Sequence, residues 1–348
     1  MPDLFSDEKY MQRCIELALM AGGNTAPNPL VGSIVVHNNI IIGEGYHERY
    51  GQAHAEVNAI NSVKDKSLLK DSVLYVTLEP CSHHGKTPPC SERIVREGIK
   101  KVVVGTIDTS AKVNGKGIDF LRNQGIEVII PVLENECRFL NRRFFTFHEK
   151  KRPYIILKWA QSADGFIAPE KPLQPMKISN DISHTLSHRW RTEEAAIMVG
   201  TNTALTDNPQ LTPRSWQGNS PVRLVIDRHL RIPANYHLRD SSVKTFFYNE
   251  LKDDIQGLNF FIKIDFDKNI LPQICNHLFS ESITSVIVEG GSVLLNSFIS
   301  QNLWDETRVF TSEKILNSGI HSPVFSLPAA QTEMSGNDLL SVYYNSVK

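Results

Sequence analysis

The chain lacks a net charge of any size: 37 Lys and Arg stand against 38 Asp and Glu over 348 residues. No overall field therefore draws it to nucleic acid or to an anionic membrane, although a sum over the chain leaves room for a local basic patch. An apolar run of membrane-spanning length is missing. So is a leader of basic then apolar residues, since the chain opens Met1-Pro2-Asp3-Leu4. A cytoplasmic protein with neither nucleic-acid nor membrane partner is the expectation. Cysteine is sparse, with five residues, an odd number. Cys14, Cys137 and Cys275 lie in apolar contexts and read as buried thiols of a reducing compartment. Internal repeats and low-complexity tracts are absent too, which removes the solenoid architectures. What remains is ordinary globular composition, 41% hydrophobic and 22% charged, at a length that exceeds what one core serves. Two domains follow.

The chemistry concentrates in residues 53–90. Ala53-His54-Ala55-Glu56, Glu79-Pro80-Cys81 and Pro88-Pro89-Cys90 together supply one imidazole, two thiols and one carboxylate that need not be a ligand. Three N/S donors suit Zn²⁺, and three instead of four leave a position open, as in catalytic zinc sites. Zinc there would make hydroxide available near neutral pH, and Glu56 could carry protons to a leaving amine. His-x-Glu followed by Pro-Cys is the general pattern of zinc nucleobase deaminases, which have two residues between their cysteines. Here eight separate Cys81 from Cys90. The insert holds His83 and His84, either of which could complete a closed structural site; the Glu at plus two and the Pro before Cys81 favour catalysis.

In chain order, Ser6-Asp7-Glu8 reads as a helix start and Gly22-Gly23 as its stop. Asn28, between two prolines, is either a turn residue or an amide able to meet a pyrimidine edge. Strands are expected at 33–36 and 40–46, joined across Asn38-Asn39. A helix should open at His54 and run to about Val63, with His54 and Glu56 sharing a site only if it lies at the helix N-terminus. A strand at 73–78 delivers Cys81, and a helix starts at Cys90, so both thiols belong near helix starts. Strands near 101–105 and 126–130 and a helix near 117–124 complete an α/β domain that closes near residue 147. The charged run 148–153 is read as a join. Strands at 154–160, 194–200, 222–227 and 285–288 follow, the last entering Glu289-Gly290-Gly291-Ser292 and a helix to Ile299. That strand, glycine pair and helix start form a weak anion-site signal. Val342-Tyr343-Tyr344 suits a final strand.

With these residues in view, the whole chain resembles the bifunctional deaminase/reductases of riboflavin biosynthesis, the RibD family. In the first half the resemblance rests on Pro27-Asn28-Pro29-Leu30-Val31-Gly32, His54-Ala55-Glu56 and the run from Glu79 to Cys90, whose eight-residue gap is usual in this family. It implies a cytidine-deaminase-like three-layer α/β domain over 1–147, with His54, Cys81 and Cys90 on zinc and Glu56 as proton shuttle. Asn28, His47, His83 and Lys86 would then meet the pyrimidine, ribose or phosphate. The second half, 152–348, resembles the family's NADPH-dependent, dihydrofolate-reductase-like domain, through the stretches 158–165, 199–203, 207–214 and 288–291. It implies Asp207 at the reacting centre. Pro175, Arg191, Leu211, Arg214 and Glu289 would hold the ribosyl phosphate and base of the substrate. Lys158, Gln161, Lys177, Thr203, Asp207 and the helix start Gly291, Ser292, Val293, Leu294, Leu295, Asn296 and Ser297 would hold the cofactor. A small-molecule pyrimidine ribosyl phosphate substrate and a homo-oligomer are implied as well.

Three departures accompany the match. Lys177 stands where Trp is usual, Asp108-Thr109-Ser110-Ala111 replaces Asp-Pro-Asn-Pro, and Ala163 replaces Leu. Two other readings stand beside the two-step enzyme: a nucleobase or nucleic-acid deaminase whose C-terminal half only binds, and a zinc-stapled binding protein.

Overall fold

The structure, a computed structural model, describes residues 4–82, 88–111, 113–170 and 176–345. The chain divides into two compact units, Met1–Lys151 and Arg152–Lys348.

The first unit runs α1 (Leu4–Leu19), β1 (Gly32–His37), β2 (Ile40–Tyr46), α2 (Ala55–Ser62), β3 (Val73–Leu78), α3 (Cys90–Arg96), β4 (Lys101–Thr106), α4 (Lys116–Asn123), β5 (Glu127–Ile129), α5 (Glu134–Leu140) and α6 (Arg142–Lys150). Its sheet has the order β2-β1-β3-β4-β5. The pairs β2/β1 and β1/β3 are antiparallel, and β3/β4 and β4/β5 parallel. Alternate residues of each strand face opposite ways, and the two faces are both apolar. Val35, Leu74, Val76, Val102 and Val104 pack with Ala59, Ile60, Ile94 and Leu121 of α2, α3 and α4. Ile34, Val36, Tyr75 and Val103 pack with Met11, Cys14, Ala18, Cys137 and Leu140 of α1 and α5. This is the expected three-layer domain. Gly45 lets α2 lie close on β2: a Cβ there would come within 2.3 Å of the Ala59 nitrogen. The hairpin turns at Asn38 and Asn39, whose φ of 49° and 63° are the left-handed values a tight two-residue turn requires.

Some local expectations need correction. The first helix begins at Leu4, so Ser6 lies within it instead of capping it. Helices α5 and α6 were not anticipated; only Asn141 separates them, with no glycine or proline to mark where one stops and the next begins. His148, Glu149 and Lys150 form the last turn of α6.

The second unit contains β6 (Tyr154–Gln161), β7 (Phe166–Ala168), α7 (Asp181–Glu193), β8 (Ala196–Gly200), α8 (Thr201–Asp207), β9 (Val222–Ile226), β10 (Thr245–Asn249), β11 (Asp254–Gln256), β12 (Asn259–Lys263), α9 (Ile270–Ser280), β13 (Ser285–Val288), α10 (Ser292–Ser300), β14 (Glu306–Thr311), β15 (Ile320–His321), β16 (Gln331–Ser335) and β17 (Asp338–Tyr344). Ten strands form one sheet in the order β11-β12-β10-β9-β8-β13-β6-β14-β17-β16, and β7 pairs with β15. From β12 to β14 every neighbour is parallel. Parallel strands are covered on both faces, and here α9 and α10 supply one cover and α7 and α8 the other. The expected strands all form. The sheet is wider than the sequence suggests, because β10, β11, β12, β14 and β16 are not among the expected strands.

Candidate functional site

His54 is the N-cap of α2, with extended backbone, and Glu56 lies in the first turn. Both can therefore address one point at the helix mouth, as the helix geometry demands. Cys81 follows β3 and Cys90 opens α3. The His54 Nδ1 lies 3.6 Å from Cys81 Sγ and 3.3 Å from Cys90 Sγ. The three donor atoms all fall within 4.8 Å of one another. Zn–N and Zn–S bonds at a tetrahedral angle would separate N from S by about 3.6 Å, so the donor set fits zinc in number, chemistry and spacing. The Cys90 backbone N–H donates to Cys81 Sγ at 3.3 Å, which places that sulfur at the start of α3 although Cys81 itself is in a loop.

Electrostatics favour a thiolate. Cys81 is driven down to about 4 by its hydrogen bond with the Cys90 thiol and by His54, while Cys90 moves up. The bond to Cys81 raises His54 to about 9. Glu56, 3% exposed, is pushed up to about 7 by burial and meets the Cys90 thiol.

Beside this cluster, Asn28 Nδ2 donates to His47 Nε2 at 3.2 Å, and His47 Nδ1 donates to the Ala53 carbonyl at 3.0 Å. The His47 and His54 rings meet edge-on at 5.4 Å. Burial lowers the His47 pKa. Asn28, His47, His54 and Glu56 are thus brought together. His83 and Lys86 lie outside the described residues.

Two supporting residues were missed. Asn141 receives the Leu30 N–H and donates to the Leu30 carbonyl, both at 2.8 Å, pinning the segment that carries Asn28. Glu79 accepts backbone N–H groups from Asp108 (3.2 Å), Gly115 (2.9 Å), Gly117 (2.8 Å) and Ile118 (3.3 Å), tying the turn after β4 beneath the Cys81 loop. Asn141 stands between α5 and α6, neither of which the sequence reading included. Glu79 had been read only as part of a motif.

In the second unit Arg191, on α7, grips Glu289 at the end of β13 through Nε–Oε1 (3.2 Å) and Nη2–Oε2 (2.6 Å). Its Nη1 donates to the Thr212 carbonyl at 3.2 Å. Burial would raise the Glu289 carboxyl, but the Arg191 and Lys158 charges outweigh it and hold it at about 2. Lys158 is lowered by burial, and Arg191 adds to that. Leu211 is buried with φ 57°, and Arg214 is exposed. Asp207 ends α8, exposed, with desolvation still raising its carboxyl. Thr203 Oγ accepts the Gly291 N–H at 3.1 Å, joining the starts of α8 and α10. Ser292 bonds the His321 carbonyl and Asn296 bonds Ser292, both at 3.0 Å, and Ser297 bonds the Val293 carbonyl at 2.8 Å. Val293 is 81% exposed, whereas Leu294 and Leu295 are core side chains. Only the backbone of those two can therefore face a ligand. Gln161 is engaged by the Trp159 indole at 2.9 Å, and exposed Lys177 pairs with Asp181. Neither is bonded to the Arg191–Glu289 pair. Pro175 lies outside the described residues.

Residues 5–106 match the family model described as the cytidine and deoxycytidylate deaminase zinc-binding region, and residues 153–337 match the RibD C-terminal domain. The riboflavin biosynthesis protein RibD of Aquifex aeolicus is 40% identical, over 90% of this chain and 89% of its own. The chain belongs to the RibD family. The Synechocystis RibD is 37% identical over 92% of this chain and 88% of its own. The structure of the Thermotoga maritima diaminohydroxyphosphoribosylaminopyrimidine deaminase/5-amino-6-(5-phosphoribosylamino)uracil reductase superposes with a TM-score of 0.87 at 36% identity, covering 97% of this chain and 98% of that one. Acinetobacter baumannii RibD superposes at 0.89 with 29% identity, covering 98% and 99%. As a RibD-family member, the chain is a bifunctional enzyme of riboflavin biosynthesis acting on a small molecule. It pairs a zinc-binding deaminase domain with an NADPH-dependent reductase domain. The alternative of a C-terminal half that only binds is not favoured, since that half matches the reductase model. Among the described residues no helix is long and apolar enough to cross a membrane.

Proposed function

We propose that the first unit deaminates 2,5-diamino-6-ribosylamino-4(3H)-pyrimidinone 5′-phosphate and the second then reduces the ribosyl group, giving 5-amino-6-ribitylaminouracil 5′-phosphate. The domains run 1–147 and 152–348. His54, Cys81 and Cys90 hold zinc, which when bound supplies the Lewis acidity that makes water nucleophilic near neutral pH. Glu56 is buried beside the three donors without being one of them, placed to take a proton from that water and return it to the departing amine. Asn28 presents its amide to the pyrimidine edge, and His47, fixed through the Ala53 carbonyl, orients it. His83 and Lys86 contribute to substrate binding.

In the second unit Arg191, Arg214, Leu211, Glu289 and Pro175 hold the ribosyl phosphate and base: exposed Arg214 offers the phosphate its forked donors, and Arg191, its own fork on Glu289, sets that carboxylate. The nicotinamide supplies the hydride when bound. Asp207 holds or passes the accompanying proton, and the partial desolvation that raises this exposed carboxyl suits that work. Thr203, Lys158, Gln161, Lys177 and residues 291–297 hold the cofactor, with the start of α10 facing its phosphates. The enzyme works in the cytoplasm as a homo-oligomer. Support for assembly is the border strand β16, where Met334, 65% exposed, pairs with Leu339, 40% exposed, an apolar pair beside polar Gln331, Thr332 and Glu333.

The observation that carries the reading is the convergence of three N/S donors within 4.8 Å beside a buried, non-ligating carboxylate. Mass spectrometry of products from the diaminopyrimidine ribosyl phosphate tests it. Zinc-loaded protein should give deaminated product alone without NADPH, and deaminated, reduced product with it. Reduction preceding deamination would reverse the order, and no reaction would reject both roles.

A further inference from the structure

Helix α7 carries His184, His188 and Arg191 at spacings of four and three, so one face presents all three. Arg191 holds Thr212 by its carbonyl. His188, fully buried, takes a second hold three residues on: its Nδ1 accepts the Ser215 N–H at 3.1 Å. A ring nitrogen that accepts carries no proton, so the imidazole is neutral with its proton on Nε2. That Nε2 is buried without a hydrogen-bond partner among the described residues. Burying an unpaired N–H is unfavourable, and an apolar side chain in the same place would avoid the cost. What the imidazole supplies, and an apolar side chain cannot, is the acceptor for Ser215.

The clamped turn needs holding. Leu211 adopts φ 57°, in the left-handed region that non-glycine residues avoid. The Arg214 N–H closes back on the Thr212 carbonyl at 3.0 Å, and the Arg214 guanidinium projects into solvent, touching Gln210 at 3.1 Å. Arg214 therefore sits between two anchors on α7, with only its side chain free to meet a ligand. We propose that His188 is a positioning residue for reduction, fixing the 211–215 turn through Ser215 so that Leu211 and Arg214 are pre-set for the ribosyl phosphate. This rests on the reading that those two residues hold the substrate. The charges around His188 agree: His184 and Arg191 on its own helix and Arg214 on the turn oppose a proton, and only Glu289 favours one. Burial, the largest cause, together with these keeps the ring at about 4, so the acceptor persists through the neutral range.

The test uses the full, zinc-loaded chain, NADPH and the deaminated ribosyl phosphate, comparing wild type with His188→Leu and His188→Gln. His188→Leu should raise KM for the ribosyl phosphate by about tenfold, with kcat and the KM for NADPH within about twofold. His188→Gln, whose amide oxygen can accept, should restore KM to within about threefold of wild type. An unchanged KM in His188→Leu overturns the proposal. So does a joint loss of kcat and both KM values that Gln fails to rescue, which marks a merely structural residue. Should His188→Leu not fold, hydrogen exchange of residues 211–216 in the unliganded wild type decides. A protected Ser215 amide supports the clamp and a freely exchanging one overturns it. A wild type that exchanges slowly there yet reduces nothing would reject the substrate assignment while leaving the clamp in place.

Discussion

Glu56 and Glu289 are both buried carboxylates, yet their surroundings pull them in opposite directions. At Glu56 burial outweighs the opposing His54 charge and raises the carboxyl to about 7; Glu289 lies between Arg191 and Lys158 and is held at about 2. Glu56→Gln keeps the volume and removes the proposed proton carrier, so deamination should fall by about a hundredfold or more while zinc content stays at one per chain. Metal analysis and ammonia release check both halves; lost zinc would make Glu56 a ligand. Glu289→Gln leaves Arg191 and Lys158 without their counter-charge and should destabilise the second unit by about 3 kcal/mol, read from urea unfolding. The sign with pH follows from the lowered pKa. The stabilisation is complete above the unfolded value of about 4.3 and disappears as pH falls from there through about 2, so wild type and variant should converge across that window. At this scale the sequence was most legible where the chemistry is local. His54, Glu56, Cys81 and Cys90 announce themselves by residue type and short spacing. Asn141 and Glu79 do not, because each works on backbone groups supplied by distant segments, and backbone is the same everywhere in a sequence.

Elements explain how these residues are delivered. The strand β3 and helices α2 and α3 were readable from period and turn residues, and their ends coincide with the three proposed zinc donors. Less readable was the turn after β4, where the usual Asp-Pro-Asn-Pro is replaced by Asp108-Thr109-Ser110-Ala111. The structure keeps its Glu79 anchor all the same, because the anchor uses N–H groups and not those side chains. Gly117 at the start of α4 is the tight point: a Cβ there would lie 1.9 Å from the Pro80 carbonyl oxygen, adjacent to Cys81. Neither partner is a flexible side-chain tip, so backbone has to move. Gly117→Ala should weaken zinc retention by about tenfold and lower the thermal midpoint of the first unit. Competition against a chromophoric chelator measures the first effect; unchanged retention would show that the Cys81 loop tolerates the shift. The strands β10 to β12 escaped notice for a different reason. Phe246, Phe247 and Tyr248 are consecutive and all buried, so β10 shows no alternation to detect.

For the molecule as a whole, the proposed zinc donors all belong to Met1–Lys151 and the Arg191–Glu289 pair to Arg152–Lys348. A zinc chelator should therefore abolish deamination and leave NADPH oxidation with the deaminated substrate within about twofold of its starting rate. A parallel fall in both activities would show that the metal supports the second unit as well. The sheet topologies carry a further consequence, for synthesis on the ribosome. Every sheet strand of the first unit lies before residue 130, so its sheet partners exist early. In the second unit β6 is paired on both sides by late arrivals, with Tyr154 beside Ser285 and Ile156 beside Glu306. At ordinary translation speeds β6 thus waits roughly 10 to 30 s for both neighbours. During that interval Tyr154-Ile155-Ile156-Leu157, a nearly continuous apolar stretch, has both its edges and its faces uncovered in the nascent chain. Holdase chaperones would find their substrate there, in the half-made reductase, while the deaminase already had its sheet.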